Sequence, residues 1–277
     1  ISRNAINVVE RLQKAGYQAY LVGGCVRDLL LGLEPKDFDV ATSATPEQVR
    51  AEFRNARVIG RRFKLVHVHF GREIIEVATF RANHPQGEDD EDSNLASRNE
   101  SGRILRDNVY GSLEDDAQRR DLTINALYYD PVTQPVLYYG YEVRHIRKRR
   151  MRVSSDPTQR YQEETVRMLR AVRFAAKLDF AIEPHTAEPI RALAHLLRDI
   201  PSARLFDEVL KLFLSGYAEH TFDLLVEHDL LAPLFPASAE ALKRNPEYTE
   251  NLIGLALANT DKRIAEGRPV TPAFLFA

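Results

Sequence analysis

Cysteine is nearly absent from this 277-residue sequence, and tryptophan is absent altogether. The single cysteine, Cys25, excludes an internal disulfide and a cysteine-ligated zinc site. Long hydrophobic runs are missing too, since no stretch approaches the roughly 18 apolar residues that cross a bilayer. The start, Ile1-Ser2-Arg3-Asn4, lacks the basic-then-apolar pattern of a signal sequence. These absences predict a cytoplasmic protein that does not insert into a membrane.

The composition is that of an ordinary globular protein. Hydrophobic residues make up 44% and charged residues 28%, which excludes wholesale disorder, collagen and a coiled-coil rod. The formal net charge is only -2, but like charges are clustered in two blocks, acidic at Glu88 to Asp92 and basic at Arg144 to Arg152. The acidic block lies in the polar stretch Ala82 to Asn108, which predicts a mobile loop. The basic block is either a solvated helix face or a surface that contacts phosphates.

The apolar pattern divides the chain into two halves. Residues 17–136 alternate short β-rich runs with turn signals and short helices, which is typical of a mixed α/β domain. From Glu163 onward the apolar period is helical. We therefore expect an α+β protein with a head at residues 1–139 and an all-helical region at residues 140–277. The chain stops in the apolar string Phe274-Leu275-Phe276-Ala277, which predicts truncation at the C-terminus. The predicted head strands are residues 17–22, 38–41, 57–59, 64–70, 74–80 and 124–129.

The first motif whose residues suit ligand binding or catalysis is Leu21-Val22-Gly23-Gly24-Cys25-Val26-Arg27-Asp28. A predicted strand ends there in two glycines, and a helix begins at once. Such glycines let backbone N–H groups approach a phosphate closely, and the helix N-terminus adds a positive dipole end. No Gly-Lys-Ser/Thr follows, so the motif is not a nucleoside-triphosphate P-loop. Alone, it fits a phosphate site or a simple tight turn.

The second motif, Lys36-Asp37-Phe38-Asp39-Val40, carries two carboxylates two residues apart. In an extended segment such side chains point to the same side. A pair of this kind can hold Mg²⁺, whose other positions are filled by water or substrate phosphates. A solvated strand end is the alternative, but the position shortly after the glycine motif favours a metal site.

The third motif is Arg119-Arg120-Asp121-Leu122-Thr123-Ile124-Asn125-Ala126, which enters a predicted strand. Its two guanidinium groups suit phosphate contacts, and its carboxylate suits a metal or a ribose hydroxyl. A surface ion pair is the alternative interpretation.

The fourth motif is a predicted amphipathic helix that starts near Glu163. Arg167, Arg170 and Arg173 recur at every third position and so lie roughly along one face. Glu164 lies one turn before Arg167. This acceptor and donor could read the hydrogen-bonding edge of a base, or they could form an ordinary helix ion pair.

Together the four motifs resemble the class II branch of the polymerase-β-like nucleotidyltransferases, which includes CCA-adding enzymes and bacterial poly(A) polymerases. The resemblance runs over about residues 6–235, with the motifs in the family's order, and residues 59–68 look like the poly(A) polymerase version of that segment. It implies a template-independent polynucleotide adenylyltransferase. Such an enzyme adds AMP from ATP to RNA 3′ ends by two-metal phosphoryl transfer and releases pyrophosphate.

The resemblance also implies roles for individual residues, with Mg²⁺ as cofactor and with ATP and RNA 3′ ends as partners. Asp37 and Asp39 would bind the two Mg²⁺ ions, Asp121 would be a further catalytic carboxylate, and Glu76 would be a third metal ligand. The nucleotide-binding set would be Gly23, Gly24, Arg27, Arg120, Glu164, Arg167, Arg170 and Arg173.

This sequence departs from the family pattern in three places. Glu163-Glu164-Thr165 stands where the family has Glu-Asp and then Pro. Residues 141–145 lack the usual Gly-Gly and Asp, and Ser154-Ser155 replaces an apolar-Gly pair. The departures imply either altered selectivity or different packing of the connector. Two alternatives therefore stay open, namely a tRNA CCA-adding enzyme and a non-catalytic RNA- or nucleotide-binding relative.

Overall fold

The computed structural model describes residues 1–60, 64–82, 96–98, 104–107, 109–140 and 142–276, and only the backbone at 96–98 and 104–107. The acidic block and part of the segment at residues 59–68 lie outside the described residues. The chain divides into two compact units, Ile1–Lys148 and Arg149–Ala277. The sequence-based boundary after residue 139 stays a prediction. No helix within these described ranges is long and apolar enough to span a bilayer.

A seven-stranded sheet in the order β3-β4-β5-β2-β1-β8-β9 forms the centre of the first unit. Strands β2 and β5 pair in parallel, and the other neighbours pair antiparallel. A separate antiparallel pair is formed by β6 and β7. The strands of this unit are β1 (Ala19–Val22), β2 (Asp39–Thr42), β3 (Ala56–Ile59), β4 (Leu65–Phe70), β5 (Glu73–Thr79), β6 (Ala96–Arg98), β7 (Ile104–Asp107), β8 (Tyr128–Tyr129) and β9 (Val136–Leu137).

Short capped helices flank this sheet. Thr45 and Gln48 form a capping box with Pro46 in the first turn of α3 (Pro46–Glu52). Ser112 and Asp115 cap α4 in the same way. The helices are α1 (Arg3–Lys14), α2 (Gly24–Leu30), α3 (Pro46–Glu52), α4 (Leu113–Arg119) and α5 (Glu142–Arg147), with a 3₁₀ helix at Thr123–Asn125.

Helix α4 is anchored by its apolar side. Leu113 and Ala117 are buried in one cluster with Val22, Phe80 and Tyr128 of the sheet. Burying such side chains contributes about 1.5–3 kcal/mol for each large one. The cluster therefore fixes the C-terminal end of α4, where the third motif begins, against the centre of the sheet.

Two predictions for the head are wrong in part. The predicted strand at 124–129 is a 3₁₀ helix at Thr123–Asn125 followed by the short β8. The backbone N–H of Asn125 donates to Leu122 O and that of Ala126 to Thr123 O, so the β-prone residues form a turn. The predicted loop at 82–108 contains the β6–β7 pair. Backbone pairing needs no apolar alternation, which explains why the sequence pattern did not reveal it.

The second unit is mostly helical, and the predicted α+β class is confirmed. It is not entirely helical, because β10 (Arg150–Met151) pairs in parallel with β11 (Ala181–Ile182). The helices are α6 (Pro157–Glu163), α7 (Val166–Leu178), α8 (Pro184–Leu193), α9 (Ser202–Phe213), α10 (Ala218–Glu227), α11 (Leu231–Leu234), α12 (Pro236–Arg244), α13 (Pro246–Ala265) and α14 (Pro272–Phe276), with a 3₁₀ helix at Ala194–Asp199.

Candidate active site

The glycine motif forms a sharp turn between β1 and α2. Gly23 has φ 76° and ψ -126°, a conformation that glycine adopts without steric cost. Its N–H donates to Leu127 O at 3.0 Å, and its carbonyl accepts from Arg27 N at 3.1 Å. Gly24 opens the helix, and a Cβ there would lie 3.5 Å from Arg27 Nη2. The turn is therefore tied both to α2 and to the segment before β8.

Arg27 lies inside the protein at 2% exposure. Its Nε and Nη2 donate to Asp28 Oδ1 at 2.8 and 2.6 Å, and its Nη1 donates to Asn125 Oδ1 at 2.7 Å. Arg27 thus connects the first motif to the third. Its predicted contact with a triphosphate stays a prediction, because the contacts that the structure gives it hold α2 against the 3₁₀ helix.

Asp37 and Asp39 lie on one side of their segment, as the spacing predicted. Both are exposed, whereas the alternating residues Phe38 and Val40 are buried. Asp39 is the first residue of β2, and its Cα partner in β5 is Glu76. Neighbouring partners in a sheet share a face, so the structure brings Glu76 to the same face as Asp39.

Strand register extends this arrangement into a row across the sheet. Glu76 is the partner of His67 in β4, Asp39 is the partner of Val22 in β1, and Val22 is the partner of Tyr128 in β8. We call these five residues the cross-strand row. His67 Nε2 lies 3.3 Å from Glu76 Oε2. Across five consecutive strands, one face of the sheet therefore carries an imidazole, two carboxylates, the apolar side chain of Val22 and a phenol.

Crowding changes the ionisation of Asp39. Although its side chain reaches solvent, the protein atoms around it reduce its solvation and raise its pKa from 3.8 to about 6. Repulsion from Glu76 raises this pKa further, attraction by Arg120 lowers it, and repulsion from Asp37 adds a smaller increase. The ionised form of Asp39 is therefore destabilised, and a bound cation would stabilise it.

The residues present fit a divalent cation. Asp37 and Asp39 offer accessible oxygens on one side, and the pKa of Asp39 is raised first by burial and then by repulsion from Glu76. A cation would stabilise the charged form of such a carboxylate. In the part of the chain that the structure describes, no three His, Cys, Asp or Glu side chains form a group able to hold a metal, so the role of Glu76 as a third ligand stays a prediction. Mg²⁺ commonly takes one or two carboxylates and completes its shell with water and phosphates, which matches this donor set.

Arg120 is held in a network that sequence reasoning missed. Its Nε and Nη2 donate to Asp116 Oδ2 at 3.0 and 2.9 Å, and its Nε also donates to Tyr128 Oη at 3.0 Å. Tyr128 donates to Asp116 Oδ2 at 2.6 Å. Burial acts to lower the pKa of Arg120, but attraction by Asp116 and Tyr128 outweighs it and the pKa is raised. The i, i+4 spacing of Asp116 and Arg120 was the available sequence signal.

Arg120 also lies beside the glycine turn. A Cβ built on Gly23 would lie 3.7 Å from Arg120 Nη1. Asp121, the next residue, is half-buried in the bend between α4 and the 3₁₀ helix. The structure thus brings together Gly23, Arg120 and Asp39, while the catalytic role of Asp121 stays a prediction.

The fourth motif lies in the second unit, where α6 ends and α7 begins. Arg167 is 6% exposed; its Nη1 donates to Arg160 O at 2.9 Å and to Glu163 Oε2 at 3.3 Å, and its Nη2 lies 3.7 Å from Glu164 Oε2. Glu164 also accepts from Arg204. Glu164 and Arg167 are therefore adjacent, as predicted, within a larger ion-pair network.

The other two arginines of α7 are less enclosed. Arg170 and Arg173 are half-buried, and the Arg173 guanidinium lies 5.0 Å from the centre of the Phe174 ring. Burial lowers the pKa of Arg173, Glu208 opposes that change, and Arg170 adds to it. Arg173 lines a groove of about 510 Å³ with Lys177 and Lys211. The predicted arginine face is thus partly a core face and partly a cationic groove.

Comparison with known proteins gives the chain a family. Residues 19–152 match the family described as the poly A polymerase head domain, and residues 179–242 match "Probable RNA and SrmB- binding site of polymerase A". The chain is 52% identical over its full length to poly(A) polymerase I of Haemophilus influenzae and 54% identical to that of Escherichia coli O6:H1. It spans 61% and 59% of those proteins.

The fold comparison agrees. The solved structure of the Bacillus stearothermophilus CCA-adding enzyme in complex with CTP matches with a TM-score of 0.69 and 26% identity, covering 98% of this chain and 79% of that one. The chain belongs to the class II nucleotidyltransferase family of bacterial poly(A) polymerases and CCA-adding enzymes.

Proposed function

We propose that this chain carries the catalytic part of a template-independent polynucleotide adenylyltransferase that adds AMP from ATP to RNA 3′ ends. The observation that carries the proposal is the position of Asp39 beside Glu76 on one sheet face, with Arg120 near the glycine turn. Identity above 50% over the whole of this chain to part of two poly(A) polymerases supports the choice of reaction. The match of residues 179–242 to an RNA-binding region supports RNA as the acceptor.

The proposed site works by positioning and charge neutralisation. Asp37 and Asp39 would hold two Mg²⁺ ions, with Glu76 as a further ligand. When bound, Mg²⁺ supplies Lewis-acid chemistry that activates the RNA 3′-hydroxyl and neutralises the triphosphate. The hydroxyl loses its proton to solvent, its oxygen attacks the α-phosphorus of ATP, and the bond from that phosphorus to pyrophosphate breaks as the new bond forms.

The other residues of this chain act on the nucleotide. The turn at Gly23 and Gly24 would bring phosphates close to the backbone N–H groups at the start of α2, and Arg120 would donate to phosphate oxygens where charge accumulates. In the helical unit, Glu164 and Arg167 would recognise the adenine edge. Arg170 and Arg173 would extend this contact along α7, and Arg27 would support the turn or contact the triphosphate.

A CCA-adding activity is the second candidate, because the matched solved structure is of a CCA-adding enzyme. The test is to incubate the protein with Mg²⁺, a tRNA lacking its terminal adenosine, and each nucleoside triphosphate separately. The adenylyltransferase proposal expects a ladder of added residues with ATP alone. Addition of a single residue with ATP, or equal incorporation of CTP, would overturn it in favour of CCA addition. No incorporation of any nucleotide would favour the non-catalytic alternative.

A further inference from the structure

Asp116 and Tyr128 form a closed network around one guanidinium. Asp116 Oδ2 accepts from Arg120 Nε, Arg120 Nη2 and Tyr128 Oη, and Asp116 Oδ1 accepts from Arg81 N at 3.1 Å. The Tyr128 hydroxyl both donates to Asp116 and accepts from Arg120. Bonds to charged groups are about twice as strong as neutral ones and are directional. The network therefore fixes the orientation of the guanidinium plane as well as its place.

The supports of this network are rigid. Asp116 is 6% exposed, and Tyr128 has no exposed surface. The Arg120 guanidinium also lies 5.3 Å from the centre of the Tyr128 ring, within the range of a cation–π contact. Both supporting side chains come from elements packed in the same apolar cluster. Arg120 is therefore held by groups that cannot shift without disturbing the core.

The network lies next to the candidate active site. Tyr128 belongs to the cross-strand row, two strands from Asp39, which corresponds to about 10 Å at the usual spacing of strands. Arg120 Nη1 lies beside Gly23, and the guanidinium stabilises the charged form of Asp39. A long cationic side chain in this place loses substantial rotamer entropy when it binds a ligand unless it is already ordered.

We propose that Asp116 and Tyr128 are positioning residues that preorganise Arg120 to receive the phosphates of the incoming nucleotide. This inference rests on the proposed function, since it takes Arg120 as a phosphate contact. Neither residue touches the substrate. They allow Arg120 to bind phosphates without first being ordered. Because AMP lacks the β- and γ-phosphates, losing either residue should weaken the binding of ATP more than the binding of AMP.

The test compares two variants with two matched controls. Asp116→Asn keeps the side-chain shape and removes the charge, and Tyr128→Phe keeps the ring and removes the hydroxyl. Glu114→Gln changes an exposed carboxylate of the same helix that accepts only from Gln118 among the described hydrogen bonds. Tyr129→Phe removes the hydroxyl of the next residue, and that hydroxyl makes no hydrogen bond among the described residues. Isothermal titration with Mg²⁺ and without RNA measures the dissociation constants of ATP and AMP for each protein.

We expect the ratio of the AMP to the ATP dissociation constant to fall about tenfold in Asp116→Asn, which removes the charge that holds Arg120. It should fall about threefold in Tyr128→Phe, which leaves the two direct bonds from Arg120 to Asp116 in place. Both controls should keep the wild-type ratio. In an Arg120→Ala background, Asp116→Asn should have no further effect on the ratio, because residues that act through one another are not additive.

If Tyr128→Phe keeps the wild-type ratio of dissociation constants but has a lowered melting temperature, the network serves stability alone and the inference is overturned. If Asp116→Asn does not fold, Tyr128→Phe alone provides the test. Additive effects in the Arg120→Ala background would overturn it as well. The proposed function is tested separately by RNA tailing with the wild-type protein. If the wild type tails RNA and the variants keep the ATP preference, only the positioning role fails, whereas a wild type that adds no nucleotide defeats both.

Discussion

Protonation of Asp39 should limit activity at acidic pH, and Glu76 should set where that limit falls. A carboxylate must be ionised to hold Mg²⁺. With a pKa of about 6, Asp39 is about 90% ionised at pH 7 and about 10% ionised at pH 5, since each pH unit changes the ratio tenfold. The tailing rate should therefore fall roughly ninefold over that range at subsaturating Mg²⁺.

Glu76→Gln perturbs this limit directly. Glu76 is the largest contributor to the raised pKa of Asp39 after burial, so its neutralisation should move the acidic limb of the rate profile to lower pH. The assay is single-turnover extension of a short RNA by ATP from pH 5 to 8, at several Mg²⁺ concentrations. The absolute rate of Glu76→Gln can fall, because Glu76 is a candidate ligand, and the midpoint of the limb is the quantity compared.

The free energy of unfolding should also depend on the ionisation of Asp39, but it should fall with rising pH where the tailing rate increases. Because the pKa of Asp39 is raised above its unfolded value of about 3.8, the folded state binds more protons, and stability is lost as pH rises through about 6. Urea unfolding in EDTA should show that loss in the wild type and not in Asp39→Asn, which should be the more stable protein at pH 8. An acidic limb that stays in place in Glu76→Gln, or identical stability profiles for wild type and Asp39→Asn, would refute this reasoning.

Three further predictions concern single positions. Ser155 is exposed with φ 66°, so Ser155→Gly should stabilise the protein by about 0.5–1 kcal/mol in urea unfolding by removing left-handed strain; a destabilised variant would contradict this. Glu142 is 7% exposed, and its Oε2 has no hydrogen-bond partner among the described residues, so Glu142→Ala should raise stability by about 1 kcal/mol, and a lower melting temperature would show that the carboxylate is needed. Burial raises the pKa of the Cys25 thiol to about 11, so its reaction with a disulfide reagent at pH 8 should be roughly a hundredfold slower than after unfolding, and a fast native reaction would be inconsistent with that burial.

The parts of the site that could be predicted from the sequence are those that depend on a few neighbouring residues. The turn at Gly23 follows from a strand that stops at two glycines, and the exposure of Asp37 and Asp39 follows from alternation with apolar neighbours. The pairing of Asp39 with Glu76 was anticipated only through family resemblance, because it depends on the register of strands far apart in the chain.

Other features needed the structure. The Asp116–Arg120–Tyr128 network depends on where α4 packs on the sheet, which no single segment encodes. The replacement of Gly by Ser155 was visible in the sequence, but its left-handed backbone was not. His145, another departure, lies with Nδ1 3.0 Å from Thr123 Oγ1, which connects α5 to the third motif.

The most direct test of the central claim is Mg²⁺-dependent extension of a short single-stranded RNA by ATP, comparing wild type with Asp37→Asn. The matched control is Glu34→Gln, which changes an exposed carboxylate three residues earlier in the same segment. The account predicts extension by wild type and Glu34→Gln, and a rate at least about 10²-fold lower for Asp37→Asn, as loss of a group that stabilises charge in the transition state implies. Equal rates for Asp37→Asn and wild type would contradict it.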